Sequence, residues 1–139
     1  MIRASKLLEK LEFTCIQGNP DAEISTLVYD SRKIEKDCMF VCIAGANVDG
    51  HSFAEEAAEK GAAVLITEKD VTLKEGSDIT VIRVADTRYA LAFLSAAWFG
   101  HPAEQMKIIG ITGTKGKTTT TYLVKSILEH AGHKVGLVG

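Results

Sequence analysis

Three apolar runs limit the fold of this 139-residue chain more than any other feature: CMFVCIA (38–44), AAVLITE (62–68) and ITVIRVAD (79–86). Each has strand length and is bounded by charged or turn residues, so each reads as a β-strand. AAVLITE carries so little polarity that it reads as a buried one. ISTLVYD (24–30) adds a further strand, followed by the polar connection SRKIEKD. GANVDG (45–50) has the glycine, asparagine and aspartate of a tight turn. Helical signals alternate with these runs. Ser52 and Glu55 match a capping box ahead of FAEEAAEK, and Gly61 can close that helix. Asp86 can cap a helix through TRYALAFLSAAWF, with Gly100 at its end. There Trp98, Phe93 and Tyr89 are expected on the face turned to the core. SKLLEKLEF near the start reads as a short amphipathic helix, with Ser5 as cap and Leu7, Leu8 and Leu11 on one side. Strands alternating with helices predict an α/β architecture.

Composition narrows the class. Hydrophobic residues make up 46% and charged residues 24%, the balance of a soluble globular chain. The formal net charge of −2 lacks the basic excess of a nucleic-acid or anionic-membrane binder. No apolar run approaches the roughly 18 residues of a membrane span. MIRASKLLEKLEF places charges where a signal peptide needs its apolar core, so export is not expected. The cysteines, Cys15, Cys38 and Cys42, are odd in number and lack metal-type pairing. Cys38 and Cys42 share one strand face in CMFVC and are expected as buried, reduced thiols. Such usage points to the cytoplasm.

HPAEQM (101–106), with its proline after a helix stop, is the expected domain boundary, dividing the chain into 1–104 and 105–139. Beyond it, KIIGIT predicts a strand, TTTTYLVKSILEHAG a helix ending near Gly132, and HKVGLVG another strand. One βαβ unit is only the opening of a parallel domain, so the natural chain is expected to continue past Gly139. His130 and His133 lie three positions apart without carboxylate or cysteine companions. They read as a solvated helix end, not a metal pair.

Between the predicted strand and helix stands GITGTKGKTTT (110–120). Free N–H groups at a helix start carry partial positive charge, and glycines let an anion approach the backbone. Lys117 adds a full charge, and Thr118 offers a hydroxyl to magnesium. The standard spacing G-x-x-x-x-G-K-[ST] would put its first glycine at Ile111. The loop is therefore a variant, Gly110-x-x-Gly113-x-x-Gly116-Lys117-Thr118. Four successive threonines, 118–121, are mediocre helix formers, a local cost that a purely structural helix has little reason to carry.

TGTKGKTTTTY after KIIGI resembles the ATP loop of the Mur ligases, which build the peptide stem of the bacterial cell-wall precursor. YDSRKIEKDCMFVCIAGANVDGHSFAEEAAEKGAAVLITE is similar to their N-terminal uridine-nucleotide-binding domain. Thr114, the unbroken TTTTY and GHPAEQMKIIG favour the member that adds the third stem residue. The D-Ala-D-Ala-adding member shares the DSR and DGH-F features and is the alternative. Lys115 departs from the asparagine usual in the family.

The resemblance implies a uridine-nucleotide-binding α/β domain in 1–104, followed by the first βαβ unit of a P-loop ATPase domain in 105–139. It implies an ATP- and Mg2+-dependent amide ligase that phosphorylates the carboxylate of UDP-N-acetylmuramoyl-L-Ala-D-Glu for attack by an incoming amino acid. By position, Gly113, Thr114, Lys115, Gly116, Lys117, Thr118 and Thr119 would hold ATP, with Lys117 and Thr118 catalytic and Thr118 a magnesium ligand. Tyr29, Ser31, Ala46, Asn47 and Val48 would hold the UDP-muramyl end. Asp49 and His51 read as turn former and helix-start residue. The expected partners are small-molecule substrates, with no nucleic acid, no membrane, and a monomeric state. The fragment alone is expected to be inactive. A non-catalytic UDP-sugar-binding module is the reading from a different class.

Overall fold

The computed structural model describes residues 1–46 and 48–138. They fall into two compact units, Met1–Glu104 and Gln105–Gly139.

The first unit is built on a five-stranded sheet. Its strands are β2 (Thr14–Gln17), β4 (Thr26–Val28), β5 (Cys38–Val41), β6 (Val64–Thr67) and β7 (Thr80–Arg83), in the order β2-β7-β6-β5-β4. Strands β4 to β7 run parallel, in register Val28 with Phe40, Phe40 with Leu65, and Leu65 with Val81. β2 closes the far edge antiparallel to β7, with a bulge between Cys15 and Gln17. A two-residue pair, β1 (Ile2–Arg3) and β3 (Glu23–Ile24), forms a separate ladder.

The apolar runs are continuous because both faces of the sheet are covered. On one face Met39, Val41, Val64, Ile66, Ile82 and Val84 pack under α1 (Ala4–Leu8) and α3 (Thr87–Trp98) through Leu7, Leu8, Ala90 and Leu94. On the other, Cys38, Phe40, Cys42, Leu65, Ile79 and Val81 pack under α2 (Ala54–Glu59) through Ala54 and Ala57. Successive residues of one strand thus serve opposite cores, as a two-residue side-chain period requires. Cys38 and Cys42 share the second core as free thiols. Burial pushes the Cys42 thiol up to about 12, so it behaves as a small hydrophobe. Cys15 is exposed on the edge strand.

The helix signals resolve into two kinds. Asp86 accepts hydrogen bonds from the N–H groups of Arg88 and Tyr89 and caps α3 as expected. Gly61 and Gly100 end α2 and α3 with positive φ of 80° and 73°. The other two caps differ from expectation. Ser5 lies inside α1, whose preceding residue Arg3 makes no side-chain cap. Ser52 does not open α2 either. A 3₁₀ turn, Gly50–Phe53, comes first, and Asp49 caps it through the His51 N–H. A carboxylate one residue ahead of the turn outcompetes a hydroxyl already inside it, because an ionised acceptor bonds the free N–H more strongly. Tyr89 is also not core: it is exposed and stacks on Phe93 with ring centroids 6.5 Å apart, whereas Trp98 packs against the first core. Replacing Asp86 by alanine is expected to cost ~1 kcal/mol of unfolding free energy, measurable as a lower urea midpoint at unchanged slope.

The second unit contains α4 (Lys117–His130), ended by Gly132 at φ 87°. KIIGIT and HKVGLVG differ from expectation, since the described parts of both lie outside any strand ladder. Apolarity marks a segment that needs covering, but a strand exists only through a partner for its N–H and C=O groups. Within 105–138 neither segment has such a partner, so the predicted βαβ unit is present as its helix alone. Among the described residues no helix is long and apolar enough to cross a membrane.

Candidate functional site

The parallel strands of the first unit deliver their following turns to one edge of the sheet. In open α/β sheets ligands bind beyond the carboxyl ends of the strands. Tyr29 and Ser31 follow β4, and Ala46 and Val48 follow its neighbour β5, so four of the expected UDP-muramyl contacts leave the same edge. Asn47 lies outside the described residues. Tyr29 is 64% and Val48 57% exposed, which leaves two large side chains without a packing role.

Ser31 opens a 3₁₀ turn, Ser31–Lys33, whose geometry is set by Asp30. Asp30 accepts from the Arg32 N–H at 3.1 Å, and grips the Arg32 guanidinium through Nε at 2.9 Å and Nη2 at 2.7 Å. These bonds hold the Asp30 carboxyl down at about 2, so it stays ionised across the physiological range. DSR is therefore a self-contained turn that presents Ser31, partly exposed, between a fixed acid and a fixed base.

The 44–49 segment folds back on itself. Ala44 and Asp49 form an antiparallel bridge, the Gly45 N–H donates to the Val48 carbonyl at 3.0 Å, and the Gly50 N–H donates to the Ile43 carbonyl at 2.8 Å. A Cβ on Gly50 would stand 2.6 Å from the Ile43 nitrogen, so only glycine permits this closure. Asp49 is tied to the Lys69 ammonium, to the His51 N–H and to His51 Nδ1, which together hold its carboxyl well below the usual range. His51 is buried, and its Nε2 accepts the Glu68 N–H at 3.1 Å. An N–H can only donate, so Nε2 is the bare nitrogen and Nδ1 carries the proton toward Asp49. Asp49 and His51 thus serve structure, as turn former and helix-start residue.

In the second unit Gly116, in the left-handed region at φ 74°, opens α4, and Gly113 stands at φ 152°. A side chain at either position would be strained, whereas the space beside Gly116 is open to 4 Å. The first helical N–H groups have no partner within the helix. Lys117 turns its ammonium onto the Gly113 carbonyl, across the mouth of the loop. Thr120 and Thr121 turn their hydroxyls onto the carbonyls of Gly116 and Thr118. Among the described residues no such bond engages the hydroxyls of Thr118 or Thr119. An exposed helix start with bare amides, the Lys117 ammonium and the unengaged hydroxyls of Thr118 and Thr119 suits a polyphosphate with a hard cation. Among the described residues no cluster of three or more histidine, cysteine or carboxylate side chains could hold a metal by itself.

Three contributors escaped the sequence reading. Lys69 holds Asp49, Glu68 accepts from both the N–H and the hydroxyl of Thr87, and Arg88 donates from Nη2 to the Ala44 carbonyl at 2.9 Å. A signal existed for the last. A cation in the first turn of a helix opposes the dipole, so Arg88 at the start of α3 called for a separate reason. Two hollows, of about 330 and 410 Å³, border Arg83, the last residue of β7, and no expected site residue lines either.

Comparison with known proteins gives these arrangements a context. The profile described as Mur ligase family, catalytic domain, matches residues 23–99, and that of the Mur ligase middle domain matches 111–139. A UDP-N-acetylmuramoyl-L-alanyl-D-glutamate--2,6-diaminopimelate ligase of Clostridium perfringens is 51% identical over 133 residues, covering 96% of this chain and 27% of the relative. Among solved structures, MurF of Acinetobacter baumannii aligns at 32% identity with a TM-score of 0.65, over 93% of this chain and 28% of that one. MurF of Thermotoga maritima in complex with ADP aligns at 27% identity and a TM-score of 0.54, over 78% and 24%. The chain therefore spans about a quarter of the length of such relatives. With the catalytic-domain profile covering more than half of its residues, the chain belongs to the Mur ligase family.

Proposed function

We propose that this chain is the substrate-binding and phosphate-gripping part of an ATP-dependent ligase of the MurE type, which adds the third amino acid to UDP-N-acetylmuramoyl-L-Ala-D-Glu. Unit 1–104 holds the UDP-muramyl end through Tyr29, Ser31, Ala46, Asn47 and Val48. Unit 105–139 begins the ATP-binding domain, with the loop Gly113, Thr114, Lys115, Gly116, Lys117, Thr118 and Thr119 around the phosphates. The observation that carries the reading is the left-handed Gly116 opening α4, with Lys117 folded over the loop mouth. ATP, when bound, supplies the phosphoryl group that activates the substrate carboxylate. Lys117 places positive charge where phosphate charge develops, the bare amides of α4 orient the oxygens, and Thr118 offers a hydroxyl to Mg2+. The name of the C. perfringens relative supports 2,6-diaminopimelate as the amino acid added. The MurF reading rests on the solved structures, and the 51% identity to the diaminopimelate ligase against 32% to MurF favours the MurE type.

Titration calorimetry of the chain tests the substrate half. UDP-N-acetylmuramoyl-L-Ala-D-Glu is expected to bind, and the chain alone is expected to form no tripeptide product. Absence of binding by UDP-N-acetylmuramoyl-L-Ala-D-Glu would overturn the substrate reading of this unit. Ser31→Ala is expected to weaken the dipeptide ligand about tenfold, the order of one hydrogen bond to a charged partner, with the unfolding midpoint unchanged.

A further inference from the structure

The 44–49 hairpin is too small to hold itself. A single bridge and two backbone bonds close it, Ala46 and Val48 near its tip are exposed, and an isolated hairpin is marginal in water. Its shape must come from tethers. Its C-terminal stem is tied to the end of β6, through Lys69 on Asp49 and through His51 on the Glu68 N–H. Its N-terminal stem has a different anchor, the Arg88 guanidinium on the Ala44 carbonyl.

Arg88 is well placed for this. Its own backbone is fixed by Asp86, which accepts the Arg88 N–H at 2.7 Å. The neighbouring Thr87 is fixed by Glu68, through 2.9 Å and 2.8 Å bonds from its N–H and hydroxyl. The guanidinium therefore reaches Ala44 from a rigid base, across 44 positions of sequence. The bond is charge-assisted, stronger than a neutral one.

We infer that Arg88 is a positioning residue for the uridine-nucleotide substrate: its guanidinium latches the Ala44 carbonyl and so holds the turn carrying Ala46 and Val48 in its binding shape. This rests on the substrate reading above. A turn that must first be ordered on binding loses affinity by the fraction of molecules already in the competent shape. The latch keeps that fraction high.

The test uses the whole chain with Arg88→Ala and Arg88→Lys. Arg88 is exposed and its backbone cap does not depend on its side chain, so Arg88→Ala is expected to fold with an unchanged thermal midpoint. Amide exchange at Gly45 and Gly50, whose N–H groups close the hairpin, is expected to speed up about tenfold, with exchange in β5 unchanged. Binding of UDP-N-acetylmuramoyl-L-Ala-D-Glu is expected to weaken about tenfold, equivalent to ~1.4 kcal/mol. Arg88→Lys, which keeps a charged donor, should recover most of both effects. Unchanged exchange at Gly45 and Gly50 would overturn the latch whatever the ligand does. Faster exchange with unaltered affinity would overturn its role in binding. If the unsubstituted chain bound no UDP-muramyl ligand, the substrate reading itself would fall, and the exchange result would still decide the latch.

Discussion

Lys117→Ala, in a full-length ligase that contains this sequence, is expected to lower turnover at least a hundredfold while leaving the fold intact or slightly firmer. The two signs come from the same place. Lys117 is the first residue of α4, where a positive charge opposes the helix dipole by ~0.3–1 kcal/mol, and alanine is the better helix former there. The loop owes its shape mainly to Gly113 and Gly116, in backbone conformations unsuited to other residues, and the exposed bond from Lys117 to the Gly113 carbonyl adds little to it. Removing the ammonium therefore costs the loop little. It removes compact charge from the position where phosphate charge develops, an effect on the order of 10²–10³ in rate for a single electrostatic group. Lys115 is the comparison: it is exposed within the loop but opens no helix, so Lys115→Ala is expected to change turnover by only a few-fold. Turnover of the Lys117 variant within threefold of the parent would remove the phosphate role from this lysine. A fall in thermal midpoint large enough to explain the lost activity would show instead that the lysine holds the structure.

Legibility followed physics that acts locally. Asp86, Gly61 and Gly100 announce helix ends because capping is settled within four residues, and the runs around Phe40, Leu65 and Val81 announce strands buried on both faces. What the sequence hid depends on distant partners. β2 has no buried residue and exists through its antiparallel pairing with β7, some 60 positions away. KIIGIT and HKVGLVG have strand-like composition but, among the described residues, no ladder. In DGHSFAEE two N-terminal signals overlap, Asp49 and Ser52, and composition cannot rank them before the 3₁₀ turn is known. The glycine turn that opens α4 was legible in its own eleven residues. Ser31 and Ala46 are proposed as contacts only through resemblance, because a polar turn at a strand end looks the same with or without a ligand. Arg88 and Lys69 were hidden, because each acts on a backbone or carboxylate more than 19 positions away.

Phe40→Ala is the substitution expected to cost the fold most. Phe40 sits on β5, paired on one side with β4 through Val28 and on the other with β6 through Leu65, and is 1% exposed. It is the largest fully buried side chain among the described residues, and it fills the space beneath α2 with Cys38, Cys42, Leu65 and Val81. Removing a buried phenylalanine costs ~3–5 kcal/mol, because the lost apolar contacts are compounded by a cavity that rigid neighbours cannot close. A domain of this size holds only ~5–15 kcal/mol in all. The loss should therefore lower the thermal midpoint by more than about 12 °C, at ~4–8 °C per kcal/mol for a unit of this length. Trp98 is the only tryptophan and packs against the opposite core, so its fluorescence reports whether the damage crosses the sheet. Coincident loss of Trp98 fluorescence and far-UV dichroism would show that the two cores unfold together, as one sheet shared between them requires. Tyr29→Ala is the contrast: Tyr29 is an aromatic residue just past the neighbouring strand, exposed, and expected to leave stability within ~0.5 kcal/mol. A shift below about 1 kcal/mol at Phe40, or equal shifts at Phe40 and Tyr29, would mean that the second core is not packed around this ring. The edge that presents Ser31 and the 44–49 hairpin would then have lost the support from which its geometry has been argued.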